Sequence, residues 1–197
     1  MTSAFERKKD PEGVRRALLD STTRLALEHG LAAVTLSAIA RGAGVTKGGL
    51  FHHFPNKQSL IQAMFQELLD HFDEAIIKGM ADDPVEHGRF TRAYVRAVFH
   101  DQALGEENPS SGMSVAVLAD PDLQEQWSKW LGERLERHEA TDGDAMCEVV
   151  RLAADGVWLA SFSSEPRTPF QPARALKQMI SLTYPPGFDP SKPAASA

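Results

Sequence analysis

Residues 51–54 read Phe-His-His-Phe, two imidazoles side by side. Imidazole binds metals and moves protons near neutral pH, so this pair is the first place to look for chemistry. On a helix, however, adjacent side chains point about 100° apart, whereas imidazoles that share a metal sit on one face at i and i+4. The other reactive group is Cys147, the one cysteine, set in DAMCEVV with no His beside it. A thiol nucleophile needs a base to activate it, and Cys147 reads instead as a small helix-packing residue. No nucleophile–base–acid set is visible, so neither an enzyme nor a resident metal or cofactor is expected. FHHF is better read as part of a surface that touches something large.

The totals agree with a folded, non-membrane protein. The 197 residues are 42% apolar, enough for a sizeable core, and no apolar run approaches the ~20 residues that span a bilayer. No apolar stretch follows the basic N-terminal residues, so no signal peptide is expected. A single cysteine excludes an intrachain disulfide and fits a reducing cytoplasm. The net charge of −6 argues against a polyanion partner, but its distribution does not. Residues 1–60 hold nine Lys/Arg against five Asp/Glu, and the remainder twelve against twenty-two, so a basic head precedes an acidic body. Such asymmetry marks chains that join a nucleic-acid-binding module to something else.

The elements that must position these residues are helices throughout, an all-α fold of about nine. Apolar residues at helical spacing predict helices over 12–29, 36–43, 47–54, 57–79, 85–104, 122–138, 145–163 and 172–184, with a short apolar segment at 113–119. Gly30 stands where a left-handed residue ends the first helix, and Thr35 or Ser37 and then Thr46 can cap the next two. Pro55 stops the third. The organisation expected is a small helical head over 1–57 with a flexible arm at 1–11, a larger helical body over 58–184, and a flexible tail at 185–197.

Two short helices joined at Gly44 make a helix-turn-helix. The second opens Thr46-Lys47-Gly48-Gly49, and two glycines in a first turn cost roughly 1 kcal/mol each in helix propensity. A chain tolerates that cost if its backbone must approach another surface, here the DNA major groove. The stretch TLSAIARGAGVTKGGLFHHFPNKQSLIQAMF, residues 35–65, resembles the DNA-binding head of the TetR family of bacterial repressors. That family reads T-x-x-x-I-A-x-x-A-G-V-S-K-G-x-L-Y-x-[HY]-F-x-x-K-x-x-L, and the likeness extends back to about Arg15.

The resemblance implies that the head, 1–57, is a DNA-binding domain and the body, 58–184, a ligand-binding and dimerisation domain, in a homodimeric repressor that binds a near-palindromic double-stranded DNA operator and is released by a small molecule. It implies phosphate contacts at Thr35 and Ser37 and a capping Thr46 at the DNA edge. It also implies groove-facing Lys47, Gly48 and Gly49, backbone-side Phe51, His52 and His53, and a further phosphate contact at Lys57. Gly49 stands where Thr or Ser is common, and Phe51 where Tyr is usual, which removes a phenolic hydrogen bond to phosphate. The alternative is a helical protein-interaction module that does not bind an operator.

In the body, LADPDLQEQW and LAADGVWLASF resemble members of the family that regulate multidrug efflux and accept bulky apolar or aromatic cationic compounds. The candidate pocket residues are Phe65, Leu69, Phe72, Phe90, Tyr94, Met113, Val117, Trp127, Trp130, Asp155 and Trp158. Asp155, inside an apolar helix, must be paired, hydrogen-bonded or turned to a cavity, where it can neutralise a cation. Helix 145–163 is apolar on more than one face, too much for a monomer's surface helix. Val149, Gly156 and Ala160, with Leu176 and Ile180 of the last helix, are expected to form a four-helix dimer interface.

Overall fold

The computed structural model of the chain describes residues 10–103, 120–160 and 171–188. Among them are nine α-helices, one short 3-10 turn (Leu31–Ala33) and no strand. In chain order the helices are α1 (Pro11–His29), α2 (Leu36–Gly42), α3 (Lys47–His53), α4 (Lys57–Ala81), α5 (Arg89–Ala103), α6 (Pro121–Arg137), α7 (Glu139–Asp142), α8 (Ala145–Ala160) and α9 (Pro172–Leu182). The all-α expectation holds. The apolar segment expected at 113–119 lies outside the described residues.

The described residues fall into two compact units. The first combines residues 10–68 with 120–126, and the second combines 69–103, 127–160 and 171–188. The divisions fall inside α4 and inside α6, so both helices take part in both units.

Local chemistry sets the ends of the first unit's helices. Asp10 accepts the Gly13 N–H at 2.9 Å and Pro11 occupies the first turn, where its missing N–H costs nothing. Gly30 ends α1 with φ +76° but ψ 152°, so the chain leaves in an extended direction instead of the left-handed helical geometry expected. Asn56 starts α4: its side chain accepts the Ser59 N–H at 2.7 Å, and Ser59 Oγ donates back to the Asn56 carbonyl at 2.9 Å. The halves of α4 and α6 in this unit are joined by amides and carboxylates. Gln58 Nε2 donates to both Asp120 oxygens at 3.2 and 3.1 Å and to Asp122 at 2.9 Å, and Gln126 donates to Gln66 at 2.9 Å.

The second unit is built around α5. Phe90, Thr91, Arg92, Ala93, Tyr94, Val95, Ala97, Val98 and Phe99 are all buried, and the helix packs against α7, α8 and α9. Arg92 is wholly buried and every nitrogen of its guanidinium is used. Nε donates to Asp83 Oδ2 at 2.6 Å, and Nη2 donates to Asp83 Oδ1 at 3.2 Å and to the Val85 carbonyl at 2.5 Å. Nη1 reaches the carbonyls of His87 at 2.8 Å and Thr183 at 3.2 Å. The Tyr184 ring covers the guanidinium at 4.3 Å.

This hub explains why α5 begins at Arg89 and not at residue 85. Val85 and His87 turn their carbonyls to the guanidinium instead of entering the helix. Gly88 then turns at φ +72°, in a place where a Cβ would overlap Thr183 O. Burial alone would raise the Asp83 carboxyl, but the hydrogen bonds from Arg92 and Val85 N–H and the charges of Arg92 and Arg96 outweigh it and hold the pKa below its ordinary 3.8. Removing one partner of a buried pair strands the other in a low-dielectric site. Asp83→Ala is therefore expected to lower the stability of the chain by about 3–5 kcal/mol, measured by chemical denaturation with the helical circular dichroism signal.

Candidate nucleic-acid interface and effector site

The head is a rigid platform assembled from short pieces. Ile39 and Leu50 are fully buried, Ala40 and Phe54 nearly so, and the Arg15 guanidinium lies over the Phe54 ring at 4.7 Å. Thr35 caps α2 by accepting the Ala38 N–H at 3.2 Å. Thr46 caps α3 by accepting the Gly49 N–H at 3.1 Å. Gly44, at φ +67°, makes the turn between them in a conformation that other residues rarely adopt. Gly42 has a different reason: a Cβ there would overlap Ser21 Oγ, where α1 crosses α2.

Gly48 and Gly49 have no such internal reason. A Cβ on Gly48 would meet only Thr46 Oγ1 at 3.9 Å, and on Gly49 only Thr46 Oγ1 at 3.4 Å and Val45 Cβ at 3.8 Å. The chain itself leaves room for side chains at both positions. Thr35, Ser37, Thr46, Lys47, Gly48 and His52 are exposed, and Phe51 is 49% exposed, with Gly49 and His53 partly covered. These residues of α2 and α3 are therefore accessible, and the backbone at Gly48 and Gly49 carries no side chain over it. His52 and His53 meet edge to face with ring centroids 5.4 Å apart, and among the described residues they belong to no cluster of three metal-ligating groups. Lys57 behaves differently: its Nζ donates to the Leu31 carbonyl at 3.2 Å, tying α4 to the 3-10 turn.

In the second unit six of the expected pocket residues form one aromatic and acidic group. The Phe72 ring stands edge-on to Tyr94 at 5.6 Å and lies 6.4 Å from Trp127 and 5.6 Å from Trp130. Trp127 and Trp130 stack at 5.1 Å, and Phe90 lies 6.2 Å from Tyr94. The Tyr94 hydroxyl donates to Asp155 Oδ1. Leu69 is nearly fully buried in the same unit, Phe65 is equally buried in the first unit, and Trp158 is half-buried. Met113 and Val117 lie outside the described residues.

Burial pushes the Asp155 carboxyl above its ordinary 3.8, and the Tyr94 hydrogen bond and the Arg151 charge only partly offset it. Burial, then the Asp155 charge, raises the Tyr94 hydroxyl well above 10. Arg151 is itself committed, donating to Thr91 Oγ1 at 2.7 Å and to the Asp142 carbonyl at 3.0 Å. Sequence reasoning missed a neighbouring pair, Arg134 with Asp73. It is bidentate at 2.7 Å for both bonds, and its guanidinium covers Trp130 at 4.3 Å. The partners are 61 residues apart, so no spacing in the sequence announces them. Cys147 is fully buried, and burial with the Asp144 carboxylate beside it pushes its thiol up to about 12, which leaves it a poor nucleophile.

The expected dimer residues divide by exposure. On α8, Val149, Gly156 and Ala160 are exposed, whereas Leu176 and Ile180 on α9 are partly covered. Met146, Leu152 and Leu159 extend the α8 stripe and are 44%, 63% and 52% exposed, so the apolar face is larger than expected.

Family models recognise both units of this architecture. Residues 18–64 match "Bacterial regulatory proteins, tetR family", and residues 88–184 match "Tetracyclin repressor-like, C-terminal domain". The chain belongs to the TetR family, a class of DNA-binding regulators and not of enzymes. Among relatives, it is 30% identical over 97 residues to the HTH-type transcriptional regulator TtgR of Pseudomonas putida, covering 49% of this chain and 46% of that one. The match thus spans about half the length of that relative. Among solved structures, SCO7518 of Streptomyces coelicolor A3(2) superposes with a TM-score of 0.68 at 20% identity, covering 86% of this chain and 98% of that one. The multidrug binding protein EbrR complexed with malachite green superposes with a TM-score of 0.67 at 18% identity, with the same coverage. These structural likenesses concern the fold.

The raised Asp155 pKa fixes the sign of a pH effect. A carboxyl whose folded pKa lies above its unfolded value favours the fold most fully below the unfolded value, and that contribution is lost as pH rises through the folded one. Asp155→Asn keeps an acceptor for the Tyr94 hydroxyl and removes the charge. Its melting temperature is expected to gain on the parent chain as pH rises from about 4 to 7, the gain levelling once Asp155 is ionised, in thermal melts across that range.

Proposed function

We propose that the chain is a ligand-responsive transcriptional repressor that binds a near-palindromic operator as a homodimer. The observation that carries this reading is the first turn of α3. It presents Lys47 and a backbone bared by Gly48 and Gly49, on a capped helix whose packing gives no reason for glycine. A recognition helix reads base edges from its N-terminal part, so these residues face the major groove in this reading. Thr35, Ser37, His52 and His53 flank them as phosphate-side contacts. Phe51 offers the sugar–phosphate edge an apolar surface, and Lys57 acts by holding α4 to the head.

The exposed α8 stripe of Met146, Val149, Leu152, Gly156, Leu159 and Ala160 supplies the dimer contact in this reading, with Leu176 and Ile180 at its margin. Two heads then meet successive major grooves about 34–36 Å apart. The effector is a bulky aromatic cation. Flat rings can stack among Phe72, Tyr94, Trp127 and Trp130, and Asp155 supplies a carboxylate hydrogen-bonded to that group. That EbrR is a multidrug binding protein supports this choice. Because α4 and α6 pass through both units and are joined by Gln58 and Asp120, a shift of either is the proposed route from ligand to head.

Lys47→Ala is expected to weaken operator binding and to reduce the slope of log affinity against log salt by about 1. The measurement is a gel shift at several salt concentrations with the DNA upstream of the chain's own gene. An unchanged slope with intact folding removes Lys47 from the DNA surface.

A further inference from the structure

Away from the aromatic group, three different ligand types converge at the entrance to α8. His87 comes from the loop before α5, Asp144 immediately precedes α8, and Cys147 lies in its first turn. One ligand atom of each, an imidazole nitrogen, a carboxylate oxygen and the thiol sulfur, lies within 4.8 Å of the other two. His87 Nε2 stands 3.7 Å from Asp144 Oδ2. Around a tetrahedral zinc with bonds of about 2.0 Å to nitrogen or oxygen and 2.3 Å to sulfur, ligand atoms are about 3.3–3.6 Å apart. The two outer ligands are almost at that separation already, and the Cys147 sulfur lies within 4.8 Å of both.

The backbone beneath these ligands is fixed. The His87 carbonyl accepts from Arg92 Nη1 at 2.8 Å, and the next residue, Gly88, donates its N–H to Thr141 O at 2.9 Å. Asp144 uses Oδ1 to cap α8, accepting the Met146 and Cys147 N–H groups at 2.8 and 3.1 Å, which leaves Oδ2 turned toward His87. Cys147 is fully buried behind the two, whose side chains are 43% and 40% exposed, so the group is open to solvent on one side and closed by sulfur on the other. An ordinary surface ion pair has no need of the thiol behind it.

We propose that His87, Asp144 and Cys147 form a zinc site with three protein ligands and water in the fourth position. Nitrogen, sulfur and oxygen together suit zinc better than calcium or magnesium, which take oxygen alone. On binding, the thiol releases its proton to solvent and the Sγ–Zn bond replaces the S–H bond, with no change of oxidation state. The bound ion joins the loop before α5 to the start of α8. This site is independent of the DNA reading and of the aromatic group.

The test uses the full, untagged chain, stripped with chelator and desalted. It is titrated with Zn2+ against a chromophoric chelator, and in parallel with Co2+. The expected result is one zinc per chain and a Co2+ complex with a near-ultraviolet thiolate-to-metal absorption band. Cys147→Ser is expected to abolish that band. His87→Ala, at a partly exposed side chain, and Asp144→Asn, which retains an acceptor for the cap, are each expected to weaken zinc at least about 10-fold, the lower end of what even outer-shell changes cost. Circular dichroism checks folding, and His87→Ala keeps the test decisive if Cys147→Ser fails to fold. No stoichiometric uptake, no thiolate band, or uptake indifferent to His87→Ala overturns the proposal.

Discussion

The second unit depends on a guanidinium that never meets water. Arg92 leaves α5 inward and binds the loop before that helix and the residues that follow α9, Thr183 and Tyr184, through carbonyls, a carboxylate and a ring. A buried charge of this kind is tolerated only when every donor is matched, and here each nitrogen is bonded. Its consequence is positional. With the start of α5 fixed, the Phe90 and Tyr94 rings stand 6.2 Å apart along the helix, and Tyr94 can place its hydroxyl on Asp155 of α8. The same hydrogen bonds fix the backbone of His87 on the other side of the loop.

The head is held together differently. Around a core that includes Leu18, Leu19, Ile39, Leu50, Phe54 and Leu60, its shape is set by caps and turns: Asp10, Thr35, Thr46 and Asn56 at helix starts, and Gly44 where two helices meet. Such local devices keep short helices rigid without using their outer faces. That leaves the first turn of α3 for another molecule. Lys57, read from the sequence as an extra phosphate contact, also donates from its ammonium to the Leu31 carbonyl.

How much of this could be read in the sequence follows from the range of each interaction. The helices of the head, the Thr46 cap and the turn at Gly44 come from residues close together in the chain and were legible nearly to the residue, the α2 cap was narrowed to Thr35 or Ser37, and the Asp10 and Asn56 caps went unread. The aromatic residues of α4, α5 and α6 were legible as an apolar stripe, but which of them meet was not. The start of α5 was read at residue 85, just after Pro84, but Arg92 binds the carbonyls of Val85 and His87 and holds them out of the helix, which starts at Arg89. Arg134–Asp73 and the approach of His87 to Asp144 join residues far apart in the chain, and no periodicity carries such pairs. Gly30 shows the limit on a smaller scale, since its positive φ was legible but its extended ψ depends on the path into Leu31–Ala33.

The central claim is that two heads read one operator and that an aromatic cation held by the second unit removes them. DNase I protection of the DNA flanking the chain's own gene, with and without malachite green, tests it most directly. The account predicts two protected half-sites related by a dyad, centred about one helical turn apart, and their loss when the dye is added. No protection at low salt, protection of a single half-site without twofold symmetry, or protection that persists in saturating dye would contradict it.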